Sequence, residues 1–88
     1  MLFMVIERFR DGSGKAVYQR FAERGRMIPE GVRFVDSWVD TAGARCFQLM
    51  DCAREADLQP WIDAWSDLVD FEVVAVTDSA TAAEQVRS

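Results

Sequence analysis

Charged and polar side chains interrupt stretches of this sequence that are otherwise apolar and rich in Val, Ile and Phe, as β-strands are. They are Glu7, Arg8, Arg33, Asp36, Ser37, Gln48, Asp51 and Glu72. If a group of them converges in a cavity with aromatic walls, it makes a site that binds and orients a small molecule. Glu7 and Asp36 are then the candidate catalytic groups, each as a base or an orienting carboxylate. The alternative is that most of these side chains lie in water at strand ends or form cross-strand ion pairs.

The segment Asp36-Ser37-Trp38 is the most specific of these features. Neighbouring side chains on a strand point to opposite faces, so Ser37 and Trp38 face different sides of the sheet. With Gln48 from the following strand, Ser37 and Trp38 are candidate ligand-binding residues for a planar organic molecule. The alternative is that Trp38 is a core residue, as a tryptophan on a strand often is.

Arg26 begins the loop RMIPEG, residues 26–31, which joins a predicted helix to a predicted strand. If this loop borders a cleft, Arg26 is a candidate ligand-binding residue that holds an anion through its forked guanidinium. The alternative is a fixed turn in which Arg26 pairs with Glu30.

Trp65 is the last candidate ligand-binding residue. With Trp61, Tyr18 and Phe21 it suggests an aromatic cage around a ligand. The alternative is core packing, because the helical spacing of these residues already accounts for their aromatic character.

The chain has no histidine, which excludes histidine-based catalytic triads and imidazole-bound metals. Cys46 consequently lacks a histidine base and is predicted to be a small buried apolar residue. Three aspartates, Asp63, Asp67 and Asp70, share one predicted helix face but lack the geometry of a calcium loop. We therefore expect neither a metal site nor a cofactor.

The chain is 88 residues long, enough for one domain, and half of its residues are apolar, so it can bury a core. Its net charge of −5 argues against nonspecific binding to nucleic acid or to an anionic membrane surface. The apolar start of the chain ends after six residues, at Glu7, which is too short for a membrane span or a signal peptide. Cys46 and Cys52 lie on one predicted strand, about 20 Å apart and too far for a disulfide. Reduced thiols are typical of a cytoplasmic protein.

The hydrophobic pattern predicts the element order β-α-β-β-α-β. The predicted strands cover residues 1–10, 32–40, 45–52 and 71–76. Between them lie a helix that Gly25 ends and a second helix whose apolar stripe runs from Leu58 to Val69. Ser13, Asp57 and Ser79 are the expected helix caps. This order predicts an α+β fold, a ferredoxin-like βαββαβ sandwich over residues 1–78, with a short C-terminal helix or frayed tail at 79–88.

Two helices cover only one face of such a sheet, and the other face is also apolar. The first strand has Leu2, Met4 and Ile6 on one side and Phe3 and Val5 on the other. A monomer would leave an apolar patch in water that soluble proteins rarely tolerate. We therefore expect a homodimer that packs the two open sheet faces together.

Four blocks of the sequence resemble a family of short bacterial proteins described only as domain of unknown function 3303. The blocks are MLFMVIERFR, GRMIPEGVRFVDSWVD, RCFQLMD and WIDAWSDLVDFEVV. The resemblance implies membership of the dimeric α/β-barrel superfamily, which includes cofactor-independent monooxygenases and isomerases with sites between sheet and helices. No functional residue of those enzymes matches this chain residue by residue.

Three functions are consistent with the sequence. The first is binding of a small hydrophobic or aromatic molecule in a cavity between sheet and helices. The second is a cofactor-independent monooxygenase or isomerase-like enzyme acting on such a molecule, and the third is a structural or regulatory interaction module. An enclosed cavity with a titratable group would favour the first two over the third.

Overall fold

The computed structural model describes residues 1–87, which form one four-stranded sheet and three α-helices. The elements are, in chain order, β1 (Leu2–Phe9), α1 (Gly14–Arg24), β2 (Arg33–Val39), β3 (Arg45–Asp51), α2 (Gln59–Trp65), β4 (Val69–Val76) and α3 (Ser79–Arg87). A 3₁₀ turn, Glu55–Leu58, leads into α2. The predicted α+β class is therefore confirmed.

The strands lie in the order β2-β3-β1-β4, and every neighbouring pair is antiparallel. β1 is central, with Glu7 opposite Cys46 of β3 on one side and opposite Phe71 of β4 on the other. The β2–β3 pairing is irregular between Phe34 and Asp36, where β2 carries one extra residue. This register places polar residues from β1, β2 and β3 next to one another.

The hydrophobic core lies between one face of the sheet and α2. Its buried members are Phe3, Val5, Met50, Cys52, Leu58, Trp61 and Trp65. Trp61 is fully buried and packs edge-on against Phe71, with the ring centroids 5.4 Å apart. Alternation along β1 and β3 therefore directs one set of side chains into this core.

The opposite face of the sheet, which we call the open face, is also largely apolar. Its apolar side chains are Leu2, Met4, Ile6, Trp38, Phe47, Leu49, Val74 and Val76, as the strand register and the alternation of side chains require. Trp38 is 50% exposed there, and it lies opposite Phe47.

α2 is shorter than the apolar stripe in the sequence predicts. It ends at Trp65, and the backbone N–H of Leu68 donates to the Trp65 carbonyl in the turn that follows. Val69 is the first residue of β4, where it pairs with Phe9 and is buried. The stripe continues past the helix because the first strand residue also faces the core.

The caps of the helices differ from the expected ones. Ser13 precedes α1 but its hydroxyl donates to the Leu68 carbonyl at 2.8 Å, not to its own helix. Asp57 accepts from the backbone N–H of Arg54 and caps the 3₁₀ turn, while Asp78 accepts from the backbone of Thr81 and caps α3. Short polar side chains bond to whichever backbone group lies nearest, so their type alone does not fix their partner.

α1 packs loosely against the rest of the molecule, since none of its residues is buried. Besides the hydrogen bond of the Ser13 hydroxyl, polar contacts of Arg20 hold α1 in place. The guanidinium of Arg20 donates two hydrogen bonds to Asp67, at 2.7 and 2.8 Å, and one to the Ala64 carbonyl. These contacts join α1 to the C-terminal end of α2. Within residues 1–87, no helix has the length and apolar character needed to cross a membrane.

Candidate functional site

A cleft of about 200 Å³ lies between α1 and the face of the sheet that carries the core. Residues from β1, α1, β2, β3 and α2, together with the loop after α1, form its walls. The lining residues are Glu7, Phe9, Val17, Tyr18, Phe21, Arg26, Ser37, Val39, Cys46, Gln48, Trp61 and Trp65. Aromatic and aliphatic side chains thus surround a small polar group, as in most small-molecule sites.

The apolar stripe of α1 forms one wall of the cleft. Val17, Tyr18 and Phe21 recur at helical spacing and line the cleft. Val17 is partly buried against the edge of the core, whereas Tyr18 and Phe21 are not part of the core. Tyr18 is 52% exposed and Phe21 is 42% exposed, although both are large apolar residues. Tyr18 makes an edge-on contact with Phe9, with the ring centroids 6.1 Å apart. The gap beneath α1 is therefore the cleft itself.

The polar residues that line the cleft form a chain of hydrogen bonds. Gln48 donates from its side-chain amide to the carboxyl group of Glu7. Its amide oxygen accepts a hydrogen bond of 2.8 Å from Nε of Arg26, and Arg26 also donates from Nη2 to the Ser37 hydroxyl at 3.0 Å. Glu7 and Gln48 are nearly fully buried, with 5% and 6% of their surfaces exposed. Gln48 therefore bridges a buried carboxyl group and a guanidinium that do not touch.

Burial changes the acid–base properties of two groups in the cleft. It raises the pKa of Glu7 above the usual value of 4.5, against the opposing effect of hydrogen bonds from Gln48 and Cys46 and of the positive charge on Arg26. Burial, with the neighbouring Glu7, raises the pKa of the Cys46 thiol to about 12. Glu7 is therefore a carboxyl group able to exchange a proton nearer neutral pH, while Cys46 remains a thiol and is not a nucleophile.

Arg26 is held from several sides. Its guanidinium carbon lies 3.9 Å from the ring centroid of Phe34 and 5.1 Å from that of Phe21, which makes two cation–π contacts. The indole N–H of Trp65 donates to its backbone carbonyl. The next residue, Met27, has a positive φ of 61°, a conformation that non-glycine residues adopt at an energetic cost. The loop is thus fixed in a conformation that directs the guanidinium into the cleft.

Five of the sequence-derived candidates line this cleft together: Glu7, Arg26, Ser37, Gln48 and Trp65. The proposed pairing of Arg26 with Glu30 is absent, and Arg26 bonds to Gln48 and Ser37 instead. Trp61, Tyr18 and Phe21 also line the cleft, although Trp61 belongs to the core at the same time.

Asp36 and Trp38 lie elsewhere. Both alternate with Ser37 along β2, so the register that turns Ser37 into the cleft places them on the open face. Asp36 is exposed and accepts a hydrogen bond from the backbone N–H of Ser37. Neither residue contacts the cleft, and the suggested grouping of Trp38 with Ser37 and Gln48 is therefore not formed.

The other polar strand residues form exposed ion pairs. Arg8 pairs with Glu72 at 3.0 Å, and Arg33 pairs with Asp51 at 3.0 Å. Such surface pairs contribute little to stability and have no access to the cleft.

Sequence reasoning missed four lining residues: Phe9, Val17, Val39 and Cys46. Cys46 lies opposite Glu7 across β1 and β3, and this pairing would have identified the cysteine as a lining residue. The pairing depends on the strand register, which the sequence does not give. Within residues 1–87 there is no group of three or more Cys, Asp or Glu side chains placed to hold a metal ion.

The family model described as Domain of unknown function (DUF3303) matches residues 1–88, so the chain belongs to this family. This confirms the resemblance that the four sequence blocks indicated. No curated protein and no solved structure matches the chain significantly.

Proposed function

We propose that this member of the DUF3303 family binds a small aromatic or apolar molecule in the cleft between α1 and the sheet. The observation that carries this proposal is the position of α1, whose aromatic residues Tyr18 and Phe21 line the cleft while about half of each side chain is exposed. Exposed aromatic surface of this kind is unfavourable in water, and a bound apolar molecule would bury it. The ligand would complete the packing between α1 and the sheet.

The size and polarity of the cleft describe the ligand further. An apolar cavity of about 150 Å³ accommodates benzene. A cleft of about 200 Å³ therefore suits one aromatic ring with a short substituent. The apolar walls would contact the ring, and the hydrogen-bonded polar residues Glu7, Gln48, Arg26 and Ser37 would orient the substituent.

Tryptophan fluorescence tests this function directly. A Trp38→Phe variant retains only Trp61 and Trp65, both of which line the cleft, so its fluorescence reports on the site. Titration with phenol, benzamide and benzoate is expected to give a saturable change with at least one compound. A second variant, Val17→Phe, adds bulk from α1 into the cleft and is expected to abolish that change. Absence of saturation with all three compounds, or equal saturation in the Val17→Phe variant, would refute the proposal.

A cofactor-independent enzyme is the second candidate function, and Glu7 favours it. Among residues 1–87, Glu7 is the only carboxyl residue that lines the cleft, and burial raises its pKa. A carboxylate in this position would accept a proton from an aromatic or enolisable substrate, as in an isomerase-like or monooxygenase-like reaction, and Arg26 would stabilise the anion formed. A Glu7→Gln variant that binds substrate with unchanged affinity but does not turn it over would support this function.

For the fold and the assembly, we propose a ferredoxin-like sandwich that forms a homodimer through its open face, as in a dimeric α/β barrel. The β-α-β-β-α-β order and the strand order β2-β3-β1-β4 support the ferredoxin-like arrangement. A second copy is the partner that suits the open face, because most charged side chains around it, with the exception of Asp36, are already paired within the chain. These pairs are Arg8–Glu72, Arg33–Asp51 and Arg45–Asp40. A two-fold contact brings identical groups of the two copies near each other. Side chains whose charges are already neutralised by a partner repel their copies less, so these pairs are compatible with such a contact.

We also propose a cytoplasmic location. Both cysteines carry free thiols, and Cys52 is buried with its thiol directed at the Arg54 carbonyl. Unpaired thiols in a small domain are typical of a reducing compartment.

A further inference from the structure

We infer that the ligand of the cleft is an anion, a small aromatic carboxylate, whose carboxylate group binds the guanidinium of Arg26. This inference rests on the proposed binding function and specifies the chemical class of the ligand.

Arg26 differs from most other arginines of the protein in having no carboxylate partner. The sequence contains nine arginines, and seven of them form ion pairs with carboxylates of the same chain. Over the described part of the chain, Arg24 and Arg26 form none. Arg24 is exposed at the end of α1, where water solvates its charge, whereas Arg26 is half-buried among aromatic rings. Glu7 interacts with Arg26 only at a distance, through Gln48. A carboxylate bonded directly to this partly buried guanidinium would therefore stabilise it.

The guanidinium of Arg26 is also prepared to bind such a ligand. It has five N–H donors, of which Nε is used by Gln48 and one N–H of Nη2 by Ser37. Nη1 donates to no group among residues 1–87. Both of the existing acceptors are neutral, so they fix the orientation of the guanidinium without neutralising it. The stacking on Phe34 and the hydrogen bond from Trp65 to the Arg26 carbonyl add to this fixed geometry. The Arg26 side chain therefore loses little conformational entropy when an anion binds.

The protonation state of Glu7 determines the net charge of the groups that line the cleft. The charged and titratable groups that line it are Glu7 from β1, Tyr18 from α1, Cys46 from β3 and Arg26 from the loop after α1. β2 and α2 contribute none to the lining. If Glu7 carries a proton, the cleft has a single positive charge and accepts one carboxylate without net buried charge. Because burial already raises the pKa of Glu7, and an incoming anion raises it further, binding is accompanied by proton uptake at this group.

A matched pair of probes tests the inference in the wild-type protein. Phenylacetate and phenylacetamide have the same ring and nearly the same shape, but only the first carries a charge at neutral pH. Calorimetric titration of both is expected to show that phenylacetate binds roughly tenfold to a hundredfold more tightly, the effect of a hydrogen bond between charged groups. The affinity for phenylacetate should fall as the pH rises above 4.5 and through the raised pKa of Glu7, because Glu7 then loses its proton.

Two arginine variants provide the control. Arg26→Gln removes the charge but retains an amide, and it is expected to bind both probes equally. Arg24→Gln removes the other unpaired arginine, which lies outside the cleft, and it should retain the preference for phenylacetate. Should Arg26→Gln unfold, the comparison of the two probes in the wild-type protein still decides the question.

The outcomes separate this inference from the proposed function. Equal affinity of the wild-type protein for both probes, or a preference for phenylacetamide, overturns the inference and leaves the binding function in place. A preference for phenylacetate that persists in Arg26→Gln but disappears in Arg24→Gln also overturns it. If neither probe binds, the cleft is not a site for single-ring aromatic molecules, and the binding function and the inference both fail.

Discussion

The indole nitrogen of Trp65 donates a hydrogen bond to the backbone carbonyl of Arg26, with 3.1 Å between the two atoms. The two residues are 39 positions apart, and the bond joins α2 to the loop that follows α1. A core residue therefore fixes the backbone of Arg26, the one cationic residue that lines the cleft within the described part of the chain. The same indole ring lines the cleft, so the stability of the fold and the geometry of the site depend on one side chain.

A Trp65→Phe variant tests this connection. It retains an aromatic ring but removes the indole N–H and leaves the Arg26 carbonyl without this donor. We expect the free energy of unfolding to fall by about 2 kcal/mol, through the lost hydrogen bond and the smaller ring. Urea denaturation measures the change. Trp61→Phe replaces a fully buried indole whose nitrogen has no hydrogen-bond partner among residues 1–87, so it is the matched control and should cost about 1 kcal/mol less. Equal losses in the two variants would contradict the prediction.

Glu7 should make stability depend on pH with a sign opposite to that of most carboxyl groups. Its pKa in the folded protein is raised above the value of 4.5, so the folded state binds the proton more tightly than the unfolded state does. This contribution to stability is present at low pH, and it is lost as the pH rises from about 4.5 through the folded-state pKa of Glu7. The free energy of unfolding of the Glu7→Gln variant, minus that of the wild-type protein, should therefore increase with pH over this range.

The difference between the two proteins is the informative quantity. Asp40, Asp51 and Asp67 have lowered pKa values because of hydrogen bonds from the backbone or from arginines, and they act in the opposite direction as the pH falls. Their contributions are common to both proteins and cancel in the subtraction. Urea titrations at a series of pH values give the difference, and a constant or decreasing value would show that Glu7 is not destabilised by burial.

The strand pairing of Glu7 with Cys46 should control the reactivity of the thiol. Burial and the neighbouring Glu7 raise the pKa of Cys46 from 9.0 to about 12, so at pH 8 the reactive thiolate is roughly a thousandfold scarcer than for an ordinary cysteine. Iodoacetamide labelling followed by peptide mass spectrometry should find native Cys46 nearly unlabelled. Glu7→Gln removes one cause of the raised pKa and should accelerate the labelling. Glu72→Gln, on the other face of the sheet, should leave the rate unchanged, and an equal acceleration in both variants would exclude the proposed coupling.

The sequence predicts those features of the fold that neighbouring residues along the chain determine. The alternation of Leu2, Met4 and Ile6 with Phe3 and Val5 indicates two apolar faces on β1, and it correctly separates core from open face. The element order follows for the same reason, because the period of the pattern distinguishes strands from helices. The end of α2 does not follow, since Val69 is apolar both as a stripe residue of a helix and as the first buried residue of β4.

The site was only partly predictable because it depends on register. Ser37 and Trp38 are recognisable as facing opposite sides, but which of them faces the helices is fixed by the pairing of Ser37 with Gln48. The role of Arg26 depends on the conformation of its loop, in which Met27 has a positive φ. A positive φ at a methionine cannot be predicted from the residue type. Similarly, Asp36 looked like a candidate base because of its neighbours in sequence, whereas its neighbours in space belong to the open face.

The homodimer proposed for the open face is tested by a charge placed within it. Trp38 continues a row of apolar side chains through Phe47 to Ile6, so Trp38→Lys would bury an unpaired ammonium in the contact. We expect the dissociation constant to rise by about a hundredfold or more, measured by analytical ultracentrifugation. Ala22→Lys, on the exposed surface of α1, is the control and should remain a dimer. A wild-type protein that sediments as a monomer at micromolar concentration would refute the dimer itself.

Hydrogen exchange should reveal the looseness of α1 and its relation to the ligand. α1 has no buried residue and its apolar side chains line a cleft, whereas α2 buries Trp61 and Trp65 in the core. Amides protected only by a loosely packed helix exchange by local opening, so those of α1 should exchange faster than those of α2. A molecule bound in the cleft would contact Val17, Tyr18 and Phe21. It would have to leave the cleft before α1 could open.

Adding phenylacetate at a saturating concentration should therefore slow exchange in α1 more than in α2 or α3. The free energy gained by α1 should approach RT ln(1 + [L]/Kd) if the open form does not bind the ligand. The Val17→Phe variant, whose cleft is filled by its own side chain, should show a slow α1 without ligand and no further change when phenylacetate is added. Equal protection of all three helices on addition of the probe would instead indicate that the whole domain is stabilised and that α1 does not open as a separate unit.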